Sequence, residues 1–375
     1  MGFMARKTLF PGWLGIALCC AGLLAACGPK PPVKLGFIGG LSDRNSDNGQ
    51  AGHNAVVLAV EQFNREGGLD GRMVELVTRD DAQNPETARA AAQALVQAGV
   101  EAVIGPFTSS MAAVIVPVLG QSGIFEVSPT ITSMSFHGQD DNLFRINRTT
   151  RDNARDYARV LVGQGQRRIA VAYDMRNRNF TESWLGEFRA TLATLPATLV
   201  AEVPYDSSPD ADFAGVMRQM LKGQPDGLLF ISGALDVARL AQQARKKAPQ
   251  LPIAASEWAA TEQLIDLGGV MVEGLLIAQN YDRDDDSRRF RDFSEAYFQR
   301  FQLNPGYSSV SAYDAATVVL TALRHRREGE TLKASALRNG PYVGLQQTMT
   351  FDRNGDTERK VFFARIQGGR YVKLP

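Results

Sequence analysis

From residue 33 to residue 278, short apolar runs of strand length alternate with longer stretches of helical period. That alternation restricts the chain to parallel sheets covered by helices on both faces. Segments 33–38, 73–78, 102–104 and 124–127 read as one series of strands, and 168–173, 199–203, 227–232, 251–255 and 274–278 as a second. Ala55, Val56, Ala59, Val60 and Phe63 fall on one helical face, as do Ala88, Ala91, Ala92, Leu95 and Val96. Gly67-Gly68 stops the first of these helices, and Pro85 opens the second. Further helices are expected over 182–195, 212–221, 235–247, 287–301 and 311–325. A closing hairpin is expected between 349–351 and 361–366, turned at Asn354-Gly355. A chain of 375 residues is long for one domain. The two series imply two similar α/β lobes with a cleft between them, a repeat of architecture without a repeat of sequence.

Two loops carry the chemistry. The strand at 102–104 ends in Gly105-Pro106, and Thr108, Ser109 and Ser110 stand where the next helix begins. The strand at 124–127 is followed by Ser128-Pro129-Thr130-Ile131-Thr132-Ser133. Hydroxyls beside the unpaired N–H groups of a helix start suit a carboxylate. Either loop alone reads more simply as a helix cap. Two consecutive hydroxyl-rich loops at the carboxyl ends of adjacent strands, where open α/β sheets bind ligands, point to an anion clamp.

The first 26 residues contain Arg6 and Lys7 and no acid, then an apolar run ending Leu24-Ala25-Ala26-Cys27-Gly28. This is the pattern of a secretory leader, and the Cys directly after Leu-Ala-Ala resembles a bacterial lipobox. It implies cleavage after residue 26, lipidation of Cys27 and a short stiff tether over 27–32. Gly28 lacks the aspartate associated with inner-membrane retention, which favours the outer membrane. Cys19, Cys20 and Cys27 are the only cysteines, so the mature fold uses no disulfide and no thiol chemistry. The near-zero net charge of +1 gives no footprint for nucleic acid. His53, His137 and His325 are isolated from metal-ligand partners, and no nucleophile elbow or dinucleotide fingerprint is present. Asp352-Arg353-Asn354-Gly355-Asp356 fits a turn better than a calcium loop. No catalytic constellation, cofactor or metal is expected.

The stretches Asn64-Arg65-Glu66-Gly67-Gly68-Leu69-Asp70-Gly71, Asp80-Asp81-Ala82-Gln83-Asn84-Pro85, Val103-Ile104-Gly105 with Ser109, Ser128-Pro129 with Thr132, Tyr313-Asp314-Ala315-Ala316 and Phe351-Asp352 with Gly355-Asp356 occur in an order and spacing that resembles the periplasmic branched-chain amino-acid-binding proteins. The resemblance implies a type I fold, two Rossmann-like lobes joined by three hinge crossings near 147–151, 278–281 and 346–349. It divides the chain into lobe 1, residues 33–149 plus 280–347, and lobe 2, residues 150–279 plus 348–375. It implies a lipid-anchored, monomeric solute receptor in the periplasm or at the cell surface, serving an ABC permease. The alternative is a tethered sensor or interaction module of the same fold.

By resemblance, Ser109 receives a ligand α-carboxylate, Thr132 contacts carboxylate and ammonium, the Thr130 carbonyl accepts from the ammonium, and Glu257 pairs with it. Thr108 lies in the same loop. Asn48 stands where the family often has an aromatic residue, with Arg44 close by, and Phe180 replaces a pocket tyrosine. Gly233 falls where another tyrosine is expected, which widens the side-chain space that Phe107 and Trp258 would wall. The resemblance thus implies an amino acid or related carboxylate as ligand, with the side-chain end wider and more polar than branched aliphatic ligands require.

Overall fold

The computed structural model describes residues 1–3, 31–42 and 46–374. Cys27, most of the expected leader and tether, and Arg44 lie outside the described residues. The first sheet is wholly parallel. It comprises β1 (Val33–Gly39), β2 (Val74–Asp80), β3 (Ala102–Ile104), β4 (Phe125–Ser128) and β5 (Leu143–Arg145) in the order β2-β1-β3-β4-β5. Helices α1 (Asp47–Arg65), α2 (Pro85–Ala98) and α3 (Ser109–Gln121) connect its strands. The start of α2 is fixed by Asn84, whose side chain accepts from the N–H groups of Glu86 and Thr87, and its end by Gly99 in the left-handed region.

The chain then leaves through α4 (Thr150–Gly163) for a second sheet. Its strands β6 (Arg168–Asp174), β7 (Thr198–Tyr205), β8 (Gly227–Ile231), β9 (Ile253–Ala255) and β10 (Leu276–Gln279) run parallel. Helices α5 (Arg178–Leu192), α6 (Phe213–Lys222), α7 (Ala234–Lys247) and α8 (Glu262–Gly268) accompany them. Next, α9 (Arg288–Phe301), α10 (Tyr307–Arg324) and α11 (Leu332–Asn339) return to the first lobe. Tyr297 Oη and Ser308 Oγ donate to the carbonyls of Ala51 and Asn48, tying this group to α1. A two-strand ribbon follows, β11 (Tyr342–Val343) with β12 (Thr348–Met349). The last strands, β13 (Phe362–Gln367) and β14 (Arg370–Lys373), complete the second sheet in the order β14-β13-β10-β9-β8-β6-β7. Both are antiparallel to their neighbours. Two lobes, each built on a sheet that is parallel apart from β13 and β14, match the expected class.

The structure departs from the sequence reading in several places: β5, α8, α11 and β14 were not expected, and α10 begins at Tyr307, not at 311. Helix α4 was missed, although Ala154, Tyr157, Ala158, Leu161 and Val162 form its buried face; five charged residues among its first ten obscure the apolar period. Helix α5 begins at Arg178, not at 182. The hairpin of 349–351 with 361–366 does not form. The Asn354-Gly355 turn exists, but it closes only a single bridge between Phe351 and Thr357. The Asp352 carboxylate gathers the N–H groups of Asn354 and Asp356, and Gly355 sits at φ 84°, where a Cβ would lie 2.3 Å from the Phe144 ring. The real hairpin is β13–β14, turned at Gly368-Gly369. Residues 351–357 therefore rest on the end of the first sheet. Phe351 packs on Phe144 with centroids 4.8 Å apart, Arg145 N–H donates to the Gly355 carbonyl, and the Arg145 guanidinium holds Asp356.

Candidate functional site

The carboxyl ends of both sheets face one cavity, with about 620 Å³ of atom-free space including its mouth. Its wall on the first lobe is built by the two hydroxyl loops. Thr108 occupies the N-cap position of α3 but makes no capping bond; its hydroxyl donates to Gln83 Oε1 at 3.0 Å. Ser109 is 1% exposed, and its Oγ has no hydrogen-bond partner among the described residues. Thr132 is 4% exposed, and its Oγ1 also has none. The simple capping role thus fails for these side chains, and two buried hydroxyls are left turned to one space. Ser128 and Thr130 have a different task. Their hydroxyls donate to the carbonyls of Pro106 and Phe107, each at 2.6 Å, and stitch the loops together. Phe107 reaches the cavity across Gly39 and Gly52, where a Cβ would fall 2.7 and 2.2 Å from its ring.

The second lobe supplies an acid. Glu257 follows β9, and its Oε1 accepts from Asn153 Nδ2 at 2.7 Å while Oε2 accepts from Trp184 Nε1 at 3.1 Å. Arg148 is held by the same Asn153, at 2.6 Å, and by Asp156. Burial pushes the Glu257 carboxyl above its ordinary range; these hydrogen bonds and the Arg148 charge pull it partly back. Phe180 and Trp258 meet edge to face at 5.7 Å and line the same space.

Phe107, Thr108, Ser109, Thr130, Thr132, Phe180, Glu257 and Trp258 therefore share one cavity. Asn48 and Gly233 do not line it. Asn48 stands behind Tyr307, hydrogen-bonded to its side chain, and Tyr307 is the aromatic residue that faces the cavity there. Gly233 caps α7. The sequence reading missed Asn147, Arg148, Asn280 and Arg359, which lie on or beside the three crossings and form a polar floor. Single residues on extended crossings carry no periodicity that would mark them. Arg359 is 4% exposed and pairs with the fully buried Asp314, which also accepts from Leu345 N–H.

The lobes meet at the cavity's rim. Ser110 N–H donates to Asn177 Oδ1 at 3.1 Å, and its Oγ accepts from Asn179 N–H at 3.1 Å. Met134 N–H donates to Ser183 Oγ. A closed interlobe cavity with unpaired hydroxyls on one side and an acid on the other is the form of a solute receptor.

The comparisons agree. Residues 32–370 match the periplasmic binding protein family, and the chain belongs to it. That family is one of solute receptors, not enzymes. The leucine-, isoleucine-, valine-, threonine- and alanine-binding protein of Pseudomonas aeruginosa is 23% identical over 360 residues, covering 94% of each chain. The Leu/Ile/Val-binding protein of Escherichia coli is 24% identical over 358 residues, covering 93% of each. Among solved structures, a leucine-binding protein from Thermotoga maritima superposes with TM-score 0.83 at 22% identity, over 92% of this chain and 98% of that one. A solute-binding protein from Rhodopseudomonas palustris in complex with benzoate gives 0.81 at 17%, over 92% and 95%. At such identities these likenesses show the fold.

Proposed function

We propose that this protein captures a small α-amino acid or related carboxylate between its lobes and delivers it to an ABC permease, while held to a bacterial membrane through lipidated Cys27. One observation carries the ligand class. Ser109 Oγ and Thr132 Oγ1 are buried, without partners, and share a cavity with the carboxylate of Glu257. A carboxylate among the hydroxyls and an ammonium beside Glu257 would satisfy both ends, and exclusion of water in the closed cleft strengthens each. The ligand's preference for the closed form then drives a hinge motion that the permease reads. Lobe 1 as 33–149 plus 280–347 and lobe 2 as 150–279 plus 348–375 belong to this reading. The contacts of Phe351, Gly355 and Asp356 with the first sheet favour moving the last boundary beyond Thr357.

The test is a thermal-shift screen of the purified protein against the common amino acids, their amides, and aliphatic and aromatic carboxylates. A ligand at 100 times its Kd adds about 2.7 kcal/mol to stability. Hits among α-amino acids that weaken in Ser109→Ala and weaken further in Glu257→Gln support the reading. Hits confined to acids without an amino group would retain the hydroxyl clamp and remove the ammonium role of Glu257. Silence across the screen would favour a tethered interaction module.

A further inference from the structure

The cavity floor bears directional hydrogen-bonding groups beyond the hydroxyls of the two loops and the Glu257 carboxylate. Asn147 Nδ2 donates to the Pro129 carbonyl at 2.8 Å. A carbonyl only accepts, so this contact fixes which way the Asn147 amide points. Asn147 Oδ1 must then accept, and it does so from Asn280 Nδ2 at 3.0 Å. The orientation of Asn280 follows, and its Oδ1 is the acceptor left at the cavity floor. The neighbouring crossing supplies a donor. Gln347 Nε2 bridges the carbonyls of Asn280 and Lys360, each at 3.2 Å, so Asn280 lies beside the segment that carries Arg359. Arg359 lines the cavity; its Nη2 is committed to Asp314, and its Nε–H is buried with no partner among the described residues.

We propose that the ligand is an α-amino acid whose side chain ends in a carboxamide, its carbonyl oxygen accepting from Arg359 Nε and its NH2 donating to Asn280 Oδ1. The inference rests on the reading of Ser109, Thr132 and Glu257 as the α-carboxylate and α-ammonium sites. Charge selects the amide over an acid. Arg359 is already neutralised by Asp314 and Arg148 by Asp156, so a side-chain carboxylate would enter as an uncompensated buried anion. Hydrogen bonding selects it over an aliphatic chain. A leucine side chain would seal the Nε–H and the Asn280 oxygen away from water with nothing to meet them. A primary amide is neutral and carries one acceptor and donors on the same end.

Calorimetric titration of the whole purified protein with L-glutamine, L-asparagine, L-glutamate, L-aspartate and L-leucine tests this. The better amide should bind at least tenfold more tightly than its own acid and than leucine. Two variants locate the preference. Arg359→Lys keeps a cation for Asp314 and removes the Nε–H. Asn280→Ala removes the acceptor from a partly exposed residue and stands in if the buried substitution fails to fold. Either should bring the amide-to-leucine ratio within about threefold, by weakening the amide and by relieving the cost of sealing an unmet polar group beneath leucine. Leucine or an acid binding as tightly as the amides, or an amide advantage that survives both variants, would overturn the inference. Leucine binding that depends on Ser109 without any amide preference would sink the inference alone. No binding by any α-amino acid would sink the functional reading and this inference together.

Discussion

The two sheets turn their carboxyl edges to one cavity with opposite chemistry. The first lobe offers neutral groups without partners, the hydroxyls of Ser109 and Thr132. At the edge of the second lobe stand carboxylates, Glu257 after β9 and Asp174 at the end of β6, already engaged with protein donors. The difference follows from desolvation. A buried hydroxyl left unpaired costs little more than a lost hydrogen bond, so it can await a ligand in the folded protein. A buried carboxylate costs far more, so it must be held by local donors before any ligand arrives. The hydroxyl side is therefore defined by what it lacks, and the acid side by what supports it. A zwitterion suits this asymmetry because its anion meets donors and its cation meets an acid.

The largest effect that would break the comparison is Glu257→Gln. It keeps the shape but removes the charge, and one amide face then opposes the Asn153 or Trp184 donor. Hydrogen bonds to charged groups contribute about 1.5–3 kcal/mol, so affinity for an α-amino acid should fall roughly 10- to 100-fold. The matching 2-keto acid, titrated in parallel, should change by less than about threefold. Equal losses for both ligands would show that the substitution acts through the wall and not through the ammonium.

Asp174 sharpens the same contrast within the second lobe, away from the cavity lining. Its Oδ1 accepts from Arg176 and Ser207 N–H, while its Oδ2 is buried without a partner. Burial, reinforced by the charge of Asp236, pushes it up to about 6. The folded protein thus holds a proton that the unfolded chain has released, and stability declines as pH rises from about 4 to about 6 and is flat above that. Asp174→Asn preserves the accepting oxygen and removes the charge. It should raise stability at pH 7 by roughly 1–3 kcal/mol in urea unfolding, and the gain should shrink towards zero near pH 4. A gain independent of pH would mean that the cost lies in packing.

A smaller effect comes from titrating Glu257 itself. Its carboxyl sits above the ordinary range because it is buried, and an ammonium ligand favours the ionised form. Affinity for an α-amino acid should hold at neutral pH and fall by at most about tenfold per unit as pH drops below the raised value. The Glu257→Gln protein should lose that slope. Binding that is flat with pH in the wild type would remove the ammonium from Glu257.

The sequence made the first lobe's edge far more legible than the floor. Buried parallel strands announce themselves as apolar runs, and Thr108, Ser109, Thr130 and Thr132 follow such runs directly, so strand ends located them. Glu257 was placed by resemblance after β9, since an isolated acid in a loop has no pattern of its own. Arg148, Asn280 and Arg359 were unreadable because their meaning depends on partners far along the chain: Asn280 on Asn147, and Arg359 on Asp314. Asn48 is a ligand-binding candidate by resemblance, but its helix turns it behind Tyr307, a contact that pairs the start of α1 with the start of α10. The Asn354-Gly355 turn was read correctly as a turn and wrongly as a hairpin, because Phe351 prefers the Phe144 ring to a strand partner.

The smallest expected effect is the most diagnostic of the difference between the two sides. Ser109→Ala removes a buried hydroxyl that meets no group among the described residues, so the unliganded protein should lose less than about 0.5 kcal/mol of stability. Its backbone N–H and the start of α3 are untouched, because neither Ser109 nor Thr108 makes a side-chain cap there. The same substitution should weaken the ligand about tenfold or more, since the hydroxyl is then missing where a carboxylate must be held. Chemical unfolding without ligand, set beside calorimetry with it, separates the two quantities. A large loss of stability in the unliganded protein would place Ser109 among the residues that build the lobe, and the hydroxyl side would then resemble the acid side instead of contrasting with it.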